Sequence, residues 1–476
     1  MDCKEKIEFF RSRGNGKDSE SSVELSAEKV KELFDLPSNV TYLAMSSRSP
    51  MLKETAQIGC DSVNLKLRPW EIEPNEDVGK YHQTACELFA KLVNVDVSEI
   101  ALGHSTAFHI SQVAMLFRNS GILSKNSTGT PAGVILLKDQ MMSNVMAWQE
   151  AARCGDARII VVDDEDSLTD GVLRALDSED NVKVAALPPL LWTNGRKVDL
   201  EVVGAKCREK NVKLVVDATQ SLGVAPLDAA KIGACVVVAS IHKWLLGPYG
   251  TSFAYYHKDL YSMGSSSKFS PGLVHHDCNR KGFDDGGGAK GTGGCFEFLT
   301  NTEVPGYEME YSEGACRFDI GARPNPIMLP MICSGLRQIF AWGGPAAISM
   351  ELEKRMKVLV DLLRKFFIVD ADRSCHMAAV YPLQEYLTDT KYDVTINPEN
   401  VQNSWSDDAC SYLKKLPHPV YVASRGGGLR VGIYLYNDDS DFGHLFQGLV
   451  GFQETLGLNS FSLEAMKYTR EIFDSK

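Results

Sequence analysis

The chain has 476 residues, 44% of them hydrophobic and 24% charged, the balance of a folded, water-soluble protein and not of a disordered one. Its 62 acidic side chains outnumber 50 basic ones, and the formal net charge of -12 argues against general affinity for nucleic acid or an anionic membrane. No run reaches the roughly 18 apolar residues of a membrane helix, the first residues lack the apolar core of a signal peptide, and the 12 cysteines include no Cys-x-x-Cys pair, so a cytoplasmic protein with reduced thiols and no metal cage is expected.

Residues 1–24 are polar and charged and read as a loose tail; the first extended apolar element is Asn39-Val40-Thr41-Tyr42-Leu43. Tyr81, Ala85, Leu88, Phe89 and Leu92 then fall on one helical face. Five short apolar runs follow, at Gly133–Leu137, Arg158–Val162, Val182–Ala186, Lys213–Val216 and Cys235–Ala239, with helical patterns between them. Near-continuous apolar strands separated by helices mean an α/β fold with a mainly parallel sheet covered on both faces. One intervening helix is marked by Asp199 as N-cap with Leu200, Val203 and Cys207 facing inward. The glycine-rich stretch 282–294 lacks the Lys-Ser/Thr ending of a phosphate loop and reads as a flexible surface insertion. Ile348, Leu352, Met356, Leu359 and Leu363 mark a long amphipathic helix, after which the pattern changes to strands and short helices. The expected division is a tail to residue 24, a large domain over 25–341 and a smaller α+β domain over 342–476.

Polar clusters close two of the predicted strands. Asp217 ends Lys213–Val216, and Ser240-Ile241-His242-Lys243 ends Cys235–Ala239. Ligands in an open α/β sheet bind outside the carboxyl ends of the strands, so both clusters are aimed at one crevice. A lysine desolvated among Trp244, Leu245 and Leu246 has its charged form disfavoured and its amine made nucleophilic, as imine formation with an aldehyde requires. A pyridoxal ring also needs a carboxylate at its ring nitrogen, for which Asp217 is placed, while Gln220 is placed to hydrogen-bond the ring oxygen. Gly103-His104-Ser105-Thr106 precedes a helical pattern and suits a phosphate, as the free backbone donors of a helix N-terminus do. Each feature alone has an ordinary alternative: Asp217 as a helix cap, Lys243 as a solvated lysine, Ser105 and Thr106 as plain capping residues, Arg430 beside Gly426-Gly427-Gly428 as a surface residue. His275-His276-Asp277-Cys278 places adjacent side chains on diverging sides of an extended loop, so no metal site is expected there.

The string Val-Val-Asp-Ala-Thr-Gln-Ser-Leu-Gly around Asp217, followed by Ser-Ile-His-Lys-Trp-Leu-Leu-Gly-Pro-Tyr-Gly around Lys243, resembles the cofactor core of the class V aminotransferase superfamily. Tyr42-Leu43, Arg68-Pro69-Trp70, Leu191-Trp192-Thr193-Asn194-Gly195, Arg317-Phe318-Asp319 and Leu429-Arg430-Val431 agree in order, and the pattern is nearest the isopenicillin-N-epimerase-like and cysteine-desulfurase-like branch. The resemblance implies the fold-type-I architecture with a mainly parallel seven-stranded sheet, bound pyridoxal 5'-phosphate, and a homodimer acting on an amino acid. It makes Lys243 the Schiff-base lysine, Asp217 the partner of the ring nitrogen and Gln220 the ring-oxygen contact. Ser105, Thr106, Ser240 and His242 become phosphate ligands, joined by Ser143 and Asn144, and Arg430 becomes the ligand of the substrate carboxylate, a task suited to its planar fork.

The residue matching the group that stacks on the ring in relatives is Met141 or Gln140. Arg323 or Asn325 stands where many relatives place a threonine that reaches the partner subunit's phosphate. Ser411–Leu429 holds no cysteine, and Cys410 lies 20 positions before Arg430, which disfavours persulfide chemistry by the desulfurase route. A reaction through an imine of the substrate and its α-carbanion is implied. A lyase (β-elimination or C–S cleavage) is the first expectation, with aminotransferase or epimerase as alternatives and a catalytically silent cofactor-binding scaffold as the reading from another class.

Overall fold

The computed structural model describes residues 25–73, 79–164, 166–262, 311–320, 325–383, 387, 392 and 405–457. The expected tail, the insertion 282–294, the His275–Cys278 cluster and Arg323 lie outside the described residues. In chain order the strands are β1 (Thr41–Tyr42), β2 (Ile100–Gly103), β3 (Ala132–Leu137), β4 (Ala157–Val162), β5 (Val182–Leu187), β6 (Lys213–Asp217), β7 (Ala234–Ser240), β8 (Ser252–Tyr256), β9 (Phe367–Val369), β10 (Met377–Pro382), β11 (Val420–Tyr421), β12 (Ala423–Arg425) and β13 (Gly428–Gly432).

Two compact units make up the chain: Met51–Pro189 with Val198–Pro345, and Glu24–Pro50 with Leu190–Lys197 and Ala346–Lys476. The linear division expected from the sequence therefore changes. Residues 25–50 and 190–197, assigned there to the large domain, cluster with the C-terminal segment, and the later boundary falls after Pro345 instead of residue 341.

The first unit is built on a seven-stranded sheet in the order β2-β8-β7-β6-β5-β3-β4. All neighbours from β7 to β4 pair in parallel, while β8 runs antiparallel to both β7 and β2. Every residue of β3 and β7 is buried, which is why their sequences are unbroken apolar runs instead of alternating ones. Edge strand β4 is the exception, with Val161 59% exposed. Ala101, Ile110, Val113, Phe117, Val134, Leu136, Trp148, Val184, Val215, Val236 and Ala254 share one core cluster on one side of the sheet. The helix after Asp199 forms as expected: its carboxylate accepts the Glu201 and Val202 amides at 3.0 and 3.1 Å, and Leu200, Val203 and Cys207 are buried.

The second unit holds a four-stranded antiparallel sheet, β12-β13-β10-β9, and a short parallel pair of β1 with β11. Residues 24–50 belong here because β1 pairs with β11 and because the Arg355 guanidinium donates to the carbonyls of Leu25, Leu435 and Asn437. Residues 190–197 belong here because Gly195, at φ +84, packs so closely on the Met377 carbonyl of β10 that a Cβ would lie 2.4 Å from its oxygen. Ile348, Leu352, Met356, Leu359 and Leu363 all face inward from the helix Gly344–Leu363.

In the first unit, the helix Thr106–Asn119 carries His109, fully buried and hydrogen-bonded through Nδ1 to the Tyr256 hydroxyl at 3.0 Å. Burial, the largest effect, pulls its pKa down to about 3 from the usual 6.5, so it is held neutral. A lowered histidine pKa contributes stability that is complete above pH 6.5 and is lost as pH falls toward 3, because the unfolded state takes up the proton first. His109→Gln is expected to flatten the fall of stability with acid in that window by up to about 1.4 kcal/mol per pH unit, checked by denaturant unfolding at stepped pH; an unchanged slope would refute the assignment.

Candidate active site

The sheet brings the expected residues to one edge. Gly103 of β2 and Ser240 of β7 are both registered against Ser252 of β8, so the ends of β2 and β7 lie level. Just past β2 the helix Thr106–Asn119 starts, with the Ser105 hydroxyl accepting the Phe108 amide at 3.2 Å. The Thr106 hydroxyl bonds Ser240 Oγ at 2.9 Å and Thr219 Oγ1 at 3.0 Å, and the Ser240 amide donates to Thr219 Oγ1 at 3.2 Å. Three hydroxyls thus converge beside a helix N-terminus, an arrangement suited to an anionic phosphate.

Asp217 lies at the adjoining end of β6 with 6% of its surface exposed. Its Oδ1 accepts the Thr219 amide at 3.1 Å, and the hydroxyls of Thr219 and Ser143 also donate to the carboxylate. Burial nevertheless wins: desolvation raises the Asp217 pKa against these hydrogen bonds and the charge of Lys243. A cation held against the carboxylate would reverse that balance, and a protonated ring nitrogen is such a cation.

Lys243 is carried on the connection between β7 and β8. The Leu246 amide donates to the Lys243 carbonyl at 3.1 Å and the Gly247 amide to Ile241 at 3.0 Å, winding the segment tightly. Leu246 is buried at φ +58, a backbone conformation a branched residue adopts at a cost of order 1–3 kcal/mol. Trp244 and Leu245 are equally buried, and Gly335 of the helix Met328–Ala341 admits the segment: a Cβ there would sit 2.9 Å from the Leu245 carbonyl oxygen. The Trp244 indole donates to Gln220 Oε1 at 2.9 Å, so a hydrogen bond to a ring oxygen would come from the other end of that amide, Nε2. The His242 ring stacks on Tyr249 at 4.2 Å, and burial first and Lys243 second lower its pKa to about 4. It therefore offers a neutral imidazole, not a second cation.

Gln140 has a structural task. Its oxygen accepts the Leu137 amide and its nitrogen donates to the carbonyls of Asn144 and Ala186, whereas Met141 after β3 is 41% exposed. Asn144 accepts weakly from the Trp148 indole, while its own Nδ2 is buried without a hydrogen-bond partner. An orphaned buried donor fits a missing acceptor such as a phosphate oxygen. Asn325 Oδ1 accepts the amides of Ile327 and Met328 at the start of the helix Met328–Ala341.

Arg430 belongs to the second unit, on β13, flanked in register by Ala379 and Ala423, whose small side chains leave space on its face. It is 1% exposed, and its guanidinium donates to the Trp192 carbonyl and to Ser47 Oγ, with Nε buried and unpartnered. Burial and then the charge of Arg425 lower its pKa. Among the described residues no carboxylate pairs with it, and a buried cation so placed suits an anionic ligand.

Thr219, Trp192 and Ser47 were not marked as site residues by the sequence. Thr219 was within reach, since it sits two positions after Asp217 inside the quoted motif; Ser47 was not, because its partner is 383 residues away. Among the described residues no group of three or more His, Cys, Asp or Glu is placed to hold a metal, and no helix is long and apolar enough to cross a membrane. Thr219→Val removes the hydroxyl that joins Ser240, Thr106 and Asp217, so a loss of about 1–3 kcal/mol and of stabilisation by inorganic phosphate is expected in thermal melts, with Thr219→Ser restoring both.

Comparison with known proteins agrees with this geometry. Residues 72–285 match the family model Aminotransferase class-V. A probable cysteine desulfurase of Pyrococcus abyssi is 25% identical over 198 residues, 41% of this chain and 45% of that one. The uncharacterized aminotransferase YcbU of Bacillus subtilis is 25% identical over 240 residues, 49% of this chain and 59% of that one. The matched part thus spans about half the length of these relatives. Among solved structures, the apo cysteine desulfurase of Thermococcus onnurineus NA1 superposes with a TM-score of 0.66 at 14% identity, covering 92% of this chain and all of that one. The cysteine desulfurase CsdA of Escherichia coli gives 0.67 at 15% identity, covering 90% and 99%. The latter two likenesses carry the fold, and the family model together with the residues at the ends of β6 and β7 leads to one conclusion: residues 72–285, a little under half of the chain, are similar to the class V aminotransferases.

Proposed function

We propose that this chain is a pyridoxal-phosphate enzyme acting on an amino acid, and first of all a lyase that eliminates at the β-carbon or cleaves a C–S bond. The observation that carries the reading is the buried Asp217 carboxylate beside Lys243 and the Thr106–Thr219–Ser240 hydroxyls, three chemically distinct recognition elements at one sheet edge. Pyridoxal phosphate, when bound, supplies an electron sink conjugated to the substrate α-carbon. Asp217 would hold the ring nitrogen protonated and Gln220 would face the ring oxygen. Thr106, Ser240 and Asn144 would hold the phosphate. Lys243 would hold the aldehyde carbon covalently and, once displaced by the substrate amine, move the proton at the α-carbon. Arg430 would bind the substrate carboxylate through its fork.

Relatives are called probable cysteine desulfurases, and one solved relative is a cystine C-S lyase, which supports C–S cleavage. Elimination is favoured over a persulfide on Cys410 because burial pushes that thiol up to about 11, keeping it protonated and unreactive. The uncharacterized aminotransferase YcbU supports transamination as the second reading. None of the described cysteines forms a disulfide, which supports a reducing, cytoplasmic setting. A homodimer is supported by Val63, Leu67 and Trp70, 50%, 73% and 77% exposed on and just after the helix Lys53–Lys66, and a monomer in sedimentation velocity would exclude it.

The deciding assay incubates the reconstituted protein with L-cysteine, L-cystine and a panel of other L-amino acids, with and without an α-keto acid. Pyruvate, ammonia and sulfide released without an acceptor are expected and identify a lyase; product formed only with the keto acid would identify a transaminase. Asp217→Asn is expected to lower kcat by on the order of 10²-fold. A wild-type protein that binds cofactor but turns over no amino acid would replace the proposal with a silent scaffold.

A further inference from the structure

The face of the second unit that carries Arg430 carries a second cation. Arg425 on β12 and Arg430 on β13 lie on the same side of the hairpin: Ala423 is registered opposite Arg430, and Arg425 is two residues beyond Ala423. Diagonal neighbours of this kind are roughly 7–8 Å apart. The two guanidinium carbons lie 5.7 and 5.6 Å from the centroid of one ring, that of Trp192. Neither arginine has a carboxylate within ion-pair distance among the described residues: Arg425 donates to its neighbour's carbonyl at Ser424, and Arg430 to the Trp192 carbonyl and Ser47 Oγ. Arg430 is 1% exposed and its Nε has no partner, so the unmet demand for an anion is built into the site and not spread over a solvated surface.

Two like charges gathered on one indole cost energy unless something anionic offsets both. One carboxylate satisfies the fork of Arg430. Arg425 is more exposed, at the mouth of the hairpin where Gly426 and Gly427 turn the chain through positive φ with no side chain in the way. A ligand anchored on Arg430 therefore meets a further guanidinium on the same side of the hairpin.

We propose that Arg425 is a specificity-determining residue that binds a second anionic group on the substrate, so that the preferred amino acid is of the aminodicarboxylate type. The inference rests on the amino-acid-enzyme reading above and deepens it. Arg425 supplies affinity for the side-chain anion, whereas Arg430 supplies affinity for the carboxylate that every amino acid shares.

The test is equilibrium binding to the cofactor-loaded protein, by calorimetry, of succinate and L-aspartate against propionate and L-alanine, for wild type, Arg425→Gln, Arg425→Lys and Arg430→Lys. The wild type is expected to favour the dianion of each pair by ~10-fold or more; Arg425→Gln removes most of that preference, Arg425→Lys retains part of it, and Arg430→Lys weakens all four ligands. A wild-type preference below about twofold, or a preference untouched in Arg425→Gln, overturns the proposal, and if Arg430→Lys still weakens the monoanions the amino-acid-enzyme reading survives it. If no ligand binds and Arg430→Lys changes nothing, that reading and the proposal fall together.

Discussion

Burying Asp217 at the carboxyl end of a parallel sheet sets the terms for everything around it. A carboxylate there, 6% exposed, loses hydration that hydrogen bonds from Thr219 and Ser143 and the charge of Lys243 do not fully replace, and its pKa rises as a result. Folding alone gives no reason to keep such a group; an apolar residue of similar volume would serve the sheet better. The cost becomes reasonable when a cation is delivered to the site with the cofactor. The surrounding structure is organised for that: the wound segment from Ile241 to Gly247 holds Lys243 against the same strand ends, with Leu246 in a strained conformation that dense packing on Gly335 maintains.

Arg430 presents the complementary problem in the second unit. Its guanidinium is buried, hydrogen-bonded among the described residues only to neutral oxygens and further disfavoured by Arg425. Asp217 in the first unit and Arg430 in the second each hold an ionisable group whose charged form burial disfavours. Neutral partners elsewhere follow the same logic. His242 is kept uncharged by burial, so a phosphate would meet hydroxyls, amides and an imidazole more than formal cations.

Much of the first unit was legible in the sequence because parallel strands are buried on both faces and so appear as unbroken apolar runs; β3 to β7 were each found within a residue or so of their ends. Strand β8, Ser252–Tyr256, was not, because an antiparallel strand that simply returns after a loop leaves no alternation with helices to mark it. The make-up of the second unit was equally hidden. Pairing of β1 with β11 and the seating of Gly195 on Met377 join segments far apart in the chain, and long-range pairing leaves no local periodicity to read. Asp217, Lys243 and Arg430 were singled out from motifs, whereas Thr219 and the locked amide of Gln140 became meaningful only once hydrogen-bond partners were known.

The central claim is that Lys243 is the residue that binds the aldehyde of pyridoxal phosphate. Reducing the pyridoxal-phosphate-loaded protein with borohydride, digesting it and locating the added phosphopyridoxyl mass tests this most directly. The account predicts a single modified peptide, with the adduct on Lys243, that is absent from Lys243→Ala although that variant still folds. Label spread over surface lysines, or an adduct undiminished in Lys243→Ala, would contradict it.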